Sequence, residues 1–428
     1  MEQPPPLHPV SRRDKRKLQD VKPAALPLED RARADSDTRE ANGESPAWRF
    51  IGAYLTLILV GFMVFRHPAT MVGGNEMSPD RAMFTSVNAV TLTGFQQTLA
   101  IDEYRWPGKI AAFLLTIGGT IVTLIAAGKA VARIAKTGCH DRGIIIGAAV
   151  LEGLAILVGA ILLPGRGRTI FESIFQAVSA IGHSGLVIGA VPSATDWRTH
   201  IVLLPLAMLG GLGLPVLLCI AAAIRRRAGL HPYARFTLIA WAASYVVGLI
   251  ALTFLSGGSD WQEKVGAASA QAINSRTVGL PLPIGDARPV HWILIVLMAV
   301  GGVSGAAAGG IKLTTVTRIW SGVRAALRGD APGRVFAIAL VWLGGYALLV
   351  FATLLALLAT NPDQPADRLI FLVVSAVSNV GLSHNPVAIV GPGMFVLCGA
   401  MFLGRALPLA VLWWTVHVVR DEQELPVG

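Results

Sequence analysis

Apolar residues fill this chain in long blocks, with little of the polar interruption a water-facing helix shows. Blocks near twenty residues match the ~30 Å hydrocarbon core of a bilayer. They predict eight membrane helices: Trp48–Phe65, Gly108–Ala132, Ile144–Leu163, Ile201–Ile224, Phe236–Leu255, His291–Trp320, Val335–Leu358 and Met394–Val418. Between them lie four apolar stretches of roughly a dozen residues, too short to cross. Each begins with a helix-start signal: Ser78-Pro79-Asp80, Thr169 with Glu172 as a capping box, Ser259-Asp260, and Asp363 with Asp367. Each is followed by a short segment ending in Gly and a bulky apolar residue, at Gly94-Phe95, Gly185-Leu186, Gly279-Leu280 and Gly381-Leu382. The glycines are 91, 94 and 102 residues apart. The pattern predicts an all-α membrane protein of four membrane–pore–membrane repeats: eight full spans plus four re-entrant pore helices around a central pore. The repeats cover 47–135, 136–226, 227–328 and 329–420, with a C-terminal tail at 421–428.

Composition agrees. Hydrophobic residues make up 53% of the 428, charged residues only 14%, and the mean hydropathy is +0.59, against about 25% charge in soluble domains. The net charge of +10 is localised. Connections 129–142, 225–235 and 318–334 hold 12 Lys/Arg against two Asp/Glu, whereas the opposite-side connections carry as many acids as bases. By the positive-inside rule the basic connections are cytoplasmic, the short helices enter from outside, and both termini are cytoplasmic. The basic excess therefore reports topology in a multi-pass cell-membrane protein, and nucleic acid is not expected as a partner. Residues 1–46, Pro-rich with nine basic and nine acidic side chains, predict a disordered cytoplasmic tail without a secretory signal. Its Arg12, Arg13, Lys15, Arg16 and Lys17 offer a contact for membrane lipid. Cys139, Cys219 and Cys398 fit neither a zinc site nor a disulfide framework.

The glycine segments carry the candidate chemistry. Thr91, Leu92, Thr93 and Gly94; Gly182, His183, Ser184 and Gly185; Thr277, Val278 and Gly279; and Ser378, Asn379, Val380 and Gly381 could turn main-chain carbonyls toward one axis. Neutral oxygens there would replace the water of a monovalent cation, and four helix C-termini aimed inward favour positive charge. Arg276 beside this path is expected to turn away and pair with Glu263 or Asp260. His183 is either a proton sensor or a packed ring. Gly118-Gly119, Gly210-Gly211, Gly301-Gly302 and Gly404 recur in similar register behind the four segments, as close helix contacts require.

The sixth span holds five glycines in ten residues, Gly301, Gly302, Gly305, Gly309 and Gly310, followed by Lys312. Such a stretch does not hold a straight helix. A gate loop over 301–311, inside the membrane beneath the filter, is the expected form. Without an adjacent Gly-Lys-Ser/Thr or a preceding strand it is not a phosphate loop. Arg405 interrupts the last span and needs a partner there; carbonyls of the 301–310 loop are the candidates. Glu152, inside the third span, is expected to pair locally.

These pieces resemble the Trk/Ktr/HKT superfamily, most closely the membrane subunits of the Ktr and Trk type. The resemblance covers residues 48–420 and rests on Thr91–Gly94, Arg276–Gly279, Gly210-Gly211-Leu212-Gly213-Leu214-Pro215, Gly309–Lys312 and Gly404-Arg405. It implies potassium uptake through the four-segment filter, with sodium a second candidate ion. It also implies gating by the Gly-rich loop, a homodimer, and a cytosolic nucleotide-binding regulatory ring. Two departures stand out. Ala306, Ala307 and Ala308 occupy a loop usually rich in hydroxyls, and Gly182-His183-Ser184-Gly185 stands where Asn-Asn-Ala-Gly is common. A secondary cation cotransporter with a broken-helix site is the alternative. An enzyme is not expected, since no His, Asp and Glu cluster at ligand spacing within the spans.

Overall fold

The computed structural model describes residues 46–71, 76–96, 103–165, 167–256, 260–284, 287–331, 333–384, 389 and 391–424, the side chains of 46, 277 and 417–424 excepted. The expected N-terminal tail with its basic cluster, Ser259 and the last four residues lie outside the described residues.

Among these residues the chain is helical and forms no β-strand, only isolated bridges. Long apolar helices run at Pro46–Arg66 (α1), Trp106–Ile134 (α3), Asp141–Leu162 (α4), Pro232–Leu255 (α8), Arg334–Thr360 (α12) and Pro392–Glu424 (α14). These six are long and apolar enough to cross a membrane. Their outward residues, among them Leu59, Met63, Val150, Ile161, Phe254, Val341 and Leu348, are large, apolar and exposed. A helical surface of that kind is stable only against hydrocarbon, where helices satisfy their own backbone polar groups. Four shorter helices, Pro79–Val90 (α2), Ile170–Gly182 (α5), Trp261–Ile273 (α9) and Ala366–Val377 (α13), pack between the long ones.

One span read as continuous is broken, and the sixth is interrupted where its five glycines predict. The fourth, Ile201–Ile224, is a π-turn at Thr199–Leu203 running into Leu204–Leu212 (α6), then a 97° bend, then Leu214–Arg226 (α7). Gly213 sits at the bend with φ 75°, which a side chain would resist, and Pro215 cannot donate back into the preceding turn. The sixth consists of Arg288–Ala299 (α10) and Leu313–Leu327 (α11), with residues 300–312 unwound between them.

The helix starts are a mixed result. Thr169 and Glu172 form the capping box, and Asp260 accepts from the Gln262 N–H. Ser78 makes no cap bond, however, and α13 starts at Pro365 without a side-chain cap. Asp80 instead accepts from the N–H of Gly391, tying the start of α2 to the approach to α14.

Candidate functional site

The four short helices end by a shared device. In three of them the residue two before the glycine is left-handed: Leu92 (φ 58°), His183 (φ 57°) and Asn379 (φ 50°). The next N–H then reaches back five residues, Thr93 to Asn88 O, Ser184 to Ser179 O and Val380 to Ser375 O. This is the Schellman termination of a helix. It turns the following backbone off the helix axis and leaves its carbonyls free of the ladder. The third segment differs. From Asn274 to Gly279 is one residue fewer than from Asn88 to Gly94, so there is no room for the left-handed residue. A π-turn over Asn274–Val278 replaces it, and Gly279 itself donates to Asn274 O.

The four glycines, Gly94, Gly185, Gly279 and Gly381, all have positive φ and form a closed ring. A methyl on Gly94 would collide with Ser184 O, and one on Gly185 would lie 2.6 Å from Gly279 O. On Gly279 it would strike Val380 O, and on Gly381 Thr93 O. Each segment thus lies backbone to backbone against the next, and the last meets the first. The lack of room excludes any residue with a Cβ, and the positive φ would add strain to one.

Side chains behind the ring hold it in place. The Asn88 amide brackets Phe95, donating to its carbonyl and accepting its N–H, both at 2.9 Å. Asn274 brackets Leu280 in the same way at 2.8 and 2.7 Å. Gln176 donates to Ala190 O and Gln271 to Pro283 O. Asn379 ties the fourth segment to the first through Thr93 Oγ1 and to Met401 O. The Tyr346 hydroxyl pairs with Ser378 Oγ at 2.7 Å, and Gln96 bridges Gly94 O and Gly185 O. The brackets at Asn88, Asn274, Gln176 and Gln271 escaped the sequence reading. Their signal was an amide five to nine residues before the glycine, in a helix otherwise apolar on that face.

Beneath the ring lies the 300–312 segment. Its ends are stitched by Gly301 N to Ile311 O, Ile311 N to Ala299 O and Leu313 N to Gly302 O. Gly309 packs on Ser378 O of the fourth segment, and Gly305 O presses against Gly213 at the other break. Ala307 N donates to Gly210 O, and Tyr233 donates to Ser304 O. Three cations converge on this segment. Arg405, 4% exposed, donates from Nε and Nη2 to Thr91 O at 2.9 and 2.7 Å and from Nη1 to Ala307 O at 2.5 Å. It therefore joins the first glycine segment to the loop. Lys312 Nζ donates to Ala308 O and Gly309 O. Arg276 does not pair with Glu263 or Asp260. It donates to Ser244 Oγ and, at 3.0 Å, to Gly301 O, because its backbone faces α8 and the loop, away from the solvent end of α9 where both acids lie. A cavity of about 750 Å³ opens below, lined by Thr123, Tyr233, Ser304, Lys312, Trp342 and Arg405 among others.

The remaining candidates are accounted for. The His183 ring lies behind its segment with Nε2 2.7 Å from Ala207 O, against Gly210 and Gly211. Glu152 is buried, and neither carboxyl oxygen meets strict hydrogen-bond geometry, but the Thr120 hydroxyl of α3 stands beside it as a polar neighbour. Gly119, Gly210 and Gly404 pack on Val90 O, Ile181 O and Val377 O, in each case four residues before the ring glycine. Gly301 does not follow: it packs on Gly309 within the loop.

No family model matches the chain. Sequence relatives do. The Ktr system potassium uptake protein B of Bacillus subtilis (strain 168) is 25% identical over 88% of this chain and 94% of its own length. Its namesake from Vibrio alginolyticus is 24% identical over 89% and 93%. The potassium/sodium uptake protein NtpJ of Enterococcus hirae is 23% identical over 86% and 92%. Among solved structures, the potassium transporter TrkH from Vibrio parahaemolyticus superposes with a TM-score of 0.65 at 18% identity, covering 86% of this chain and 84% of that one. The likeness runs through nearly the whole length of each protein, in sequence and in fold. Together with the glycine ring and the loop beneath it, this makes the chain similar, over nearly its whole length, to potassium transporters of the Trk/Ktr type.

Proposed function

We propose that the chain carries potassium into the cell along the axis of the glycine ring. The ring supports this reading most directly: four helix C-termini and four unladdered segments converge where a dehydrated cation needs neutral oxygens. The four helix–turn–helix units are the four repeats, and Thr91–Gly94, Gly182–Gly185, Thr277–Gly279 and Ser378–Gly381 form the filter. The relatives named for potassium uptake support potassium as the ion, and the one named for potassium and sodium keeps sodium as a second substrate.

The 301–311 loop is the gate. It closes the path beneath the ring, and Arg405, Lys312 and Arg276 hold it by donating to its carbonyls. Its opening is driven from the basic, cytoplasmic side by a nucleotide-binding regulatory ring acting on a homodimer of this chain. Both termini lie on that side.

The test is uptake itself. Expression should rescue growth of potassium-transport-deficient cells at low potassium, and purified protein in liposomes should pass rubidium. Absence of both, with the protein in the membrane, sinks the proposal. One observation favours the cotransporter alternative: two spans are broken, at Gly213 and at 300–312, and the breaks touch. Flux that strictly requires a sodium gradient would select that alternative.

A further inference from the structure

Outside the ring, two histidines from distant parts of the chain meet. His291 lies in the first turn of α10, and His384 follows Gly381 by three residues. Their rings are perpendicular, at 80°, with centroids 4.2 Å apart. Both rest on Phe371 of α13, a fully buried wall 4.7 Å from the His384 ring and 6.2 Å from that of His291. Each imidazole is partly exposed. The pair sits on the face where the chain leaves the ring, opposite the basic connections.

We infer that His291 and His384 form a site for a divalent transition metal of the zinc class on the outer face. Neutral imidazole nitrogens suit zinc, copper and nickel and offer little to potassium, magnesium or calcium. Two imidazoles on a tetrahedral zinc, with Zn–N near 2.0–2.1 Å, place their centroids about 5 Å apart. The observed centroids are about 1 Å closer than that, so to hold a metal the two rings must part by about that much and turn one nitrogen each toward it. Two imidazoles leave the remaining coordination positions to water or to another oxygen or nitrogen donor. That gives a moderate-affinity site, suited to sensing metal more than to storing it.

The location gives the metal a mechanical consequence. α10 runs from His291 straight to Val300 and the unwound loop. The segment bearing His384 begins at Ser378, whose carbonyl touches Gly309 of that same loop. A metal joining the two histidines ties the outer ends of two pieces whose inner ends meet under the ring. Any opening that moves α10 relative to the fourth segment is then opposed.

The first test is binding, which does not depend on the transport reading. Zinc is titrated calorimetrically into the purified full-length protein and into His291→Gln and His384→Gln. One zinc per chain with a Kd of order 10 µM is expected, weakened at least about tenfold in each variant. No binding below about 1 mM, or equal affinity in all three, overturns the site. Should the glutamine variants fail to fold, the paired change His291→Cys with His384→Cys serves: it must bind cadmium more tightly than wild type, and failure to do so overturns the geometry. The second test is flux, which rests on the proposed transport activity. At about 100 µM zinc, rubidium flux should fall about tenfold in wild type and about twofold or less in the variants. Binding without any loss of flux overturns the mechanical consequence and leaves the site standing.

Discussion

Arg405→Ala is the perturbation that most directly examines the loop beneath the ring. The guanidinium is buried and makes its bonds to two places: Thr91 O in the first glycine segment and Ala307 O in the loop. A hydrogen bond from a charged donor contributes about 1.5–3 kcal/mol. Truncation removes a side-chain attachment that joins the loop to the first segment. If that bond exists only while the loop is seated, its loss shifts the seated-to-displaced equilibrium by the same 1.5–3 kcal/mol, which is roughly 10- to 150-fold. Rubidium efflux from liposomes holding the purified chain alone should rise by at least about tenfold over wild type. Arg405→Lys should fall between, since an ammonium supplies charge without the planar fork that reaches both carbonyls. Unchanged or reduced efflux in Arg405→Ala, with normal yield and a normal elution profile, refutes the role assigned to this side chain. The bonds to Thr91 O also brace the first segment, so the same measurement with sodium should show a weaker preference for potassium.

Three further outcomes follow from the geometry. Gly381→Ala places a methyl against Thr93 O at φ 79° and should abolish potassium-dependent growth, whereas Gly344→Ala on α12, where a Cβ meets open space, should leave growth and thermal stability within about 0.5 kcal/mol of wild type; growth of Gly381→Ala at the wild-type rate would contradict the ring. His183→Asn should leave the pH profile of flux unchanged, because the ring packs behind its segment on Ala207 O; a displaced profile would establish His183 as the sensor. The Ser78 side chain, with the N–H groups of Arg81 and Gly391, holds the Asp80 carboxyl below the usual carboxylate range. Its stabilisation is therefore present above the unfolded-state pKa of about 4 and is lost as pH falls through the lower folded value. The melting temperature of wild type should accordingly drop more steeply than that of Asp80→Asn below pH 5, and parallel slopes would rule this out.

Much was legible before any coordinates because it is local. Twenty-residue apolar blocks become helices, since a helix of that length crosses the hydrocarbon and satisfies its backbone polar groups within its own segment. A capping box at Thr169 and Glu172 acts within one turn. Five glycines in ten residues announce an unwound segment. None of these inferences needs to know what lies across the molecule.

What only the tertiary structure decided depends on residues far apart in the chain. Thr93 and Gly381 touch across nearly three hundred residues, and Arg405 reaches Thr91 over 314 positions. Arg276 had acids nearby in sequence, yet it faces Ser244 and the Gly301 carbonyl, because the π-turn it lies on points into the protein. The 97° bend at Gly213 was hidden inside an unbroken apolar block, since hydropathy reports burial in lipid and is blind to chain direction. The encounter of His291 and His384 had no local signature at all. Sequence determines where a helix can form and where it must stop. Which ends meet is set by packing, because the free energy of each contact depends on a partner that only the folded chain brings within reach.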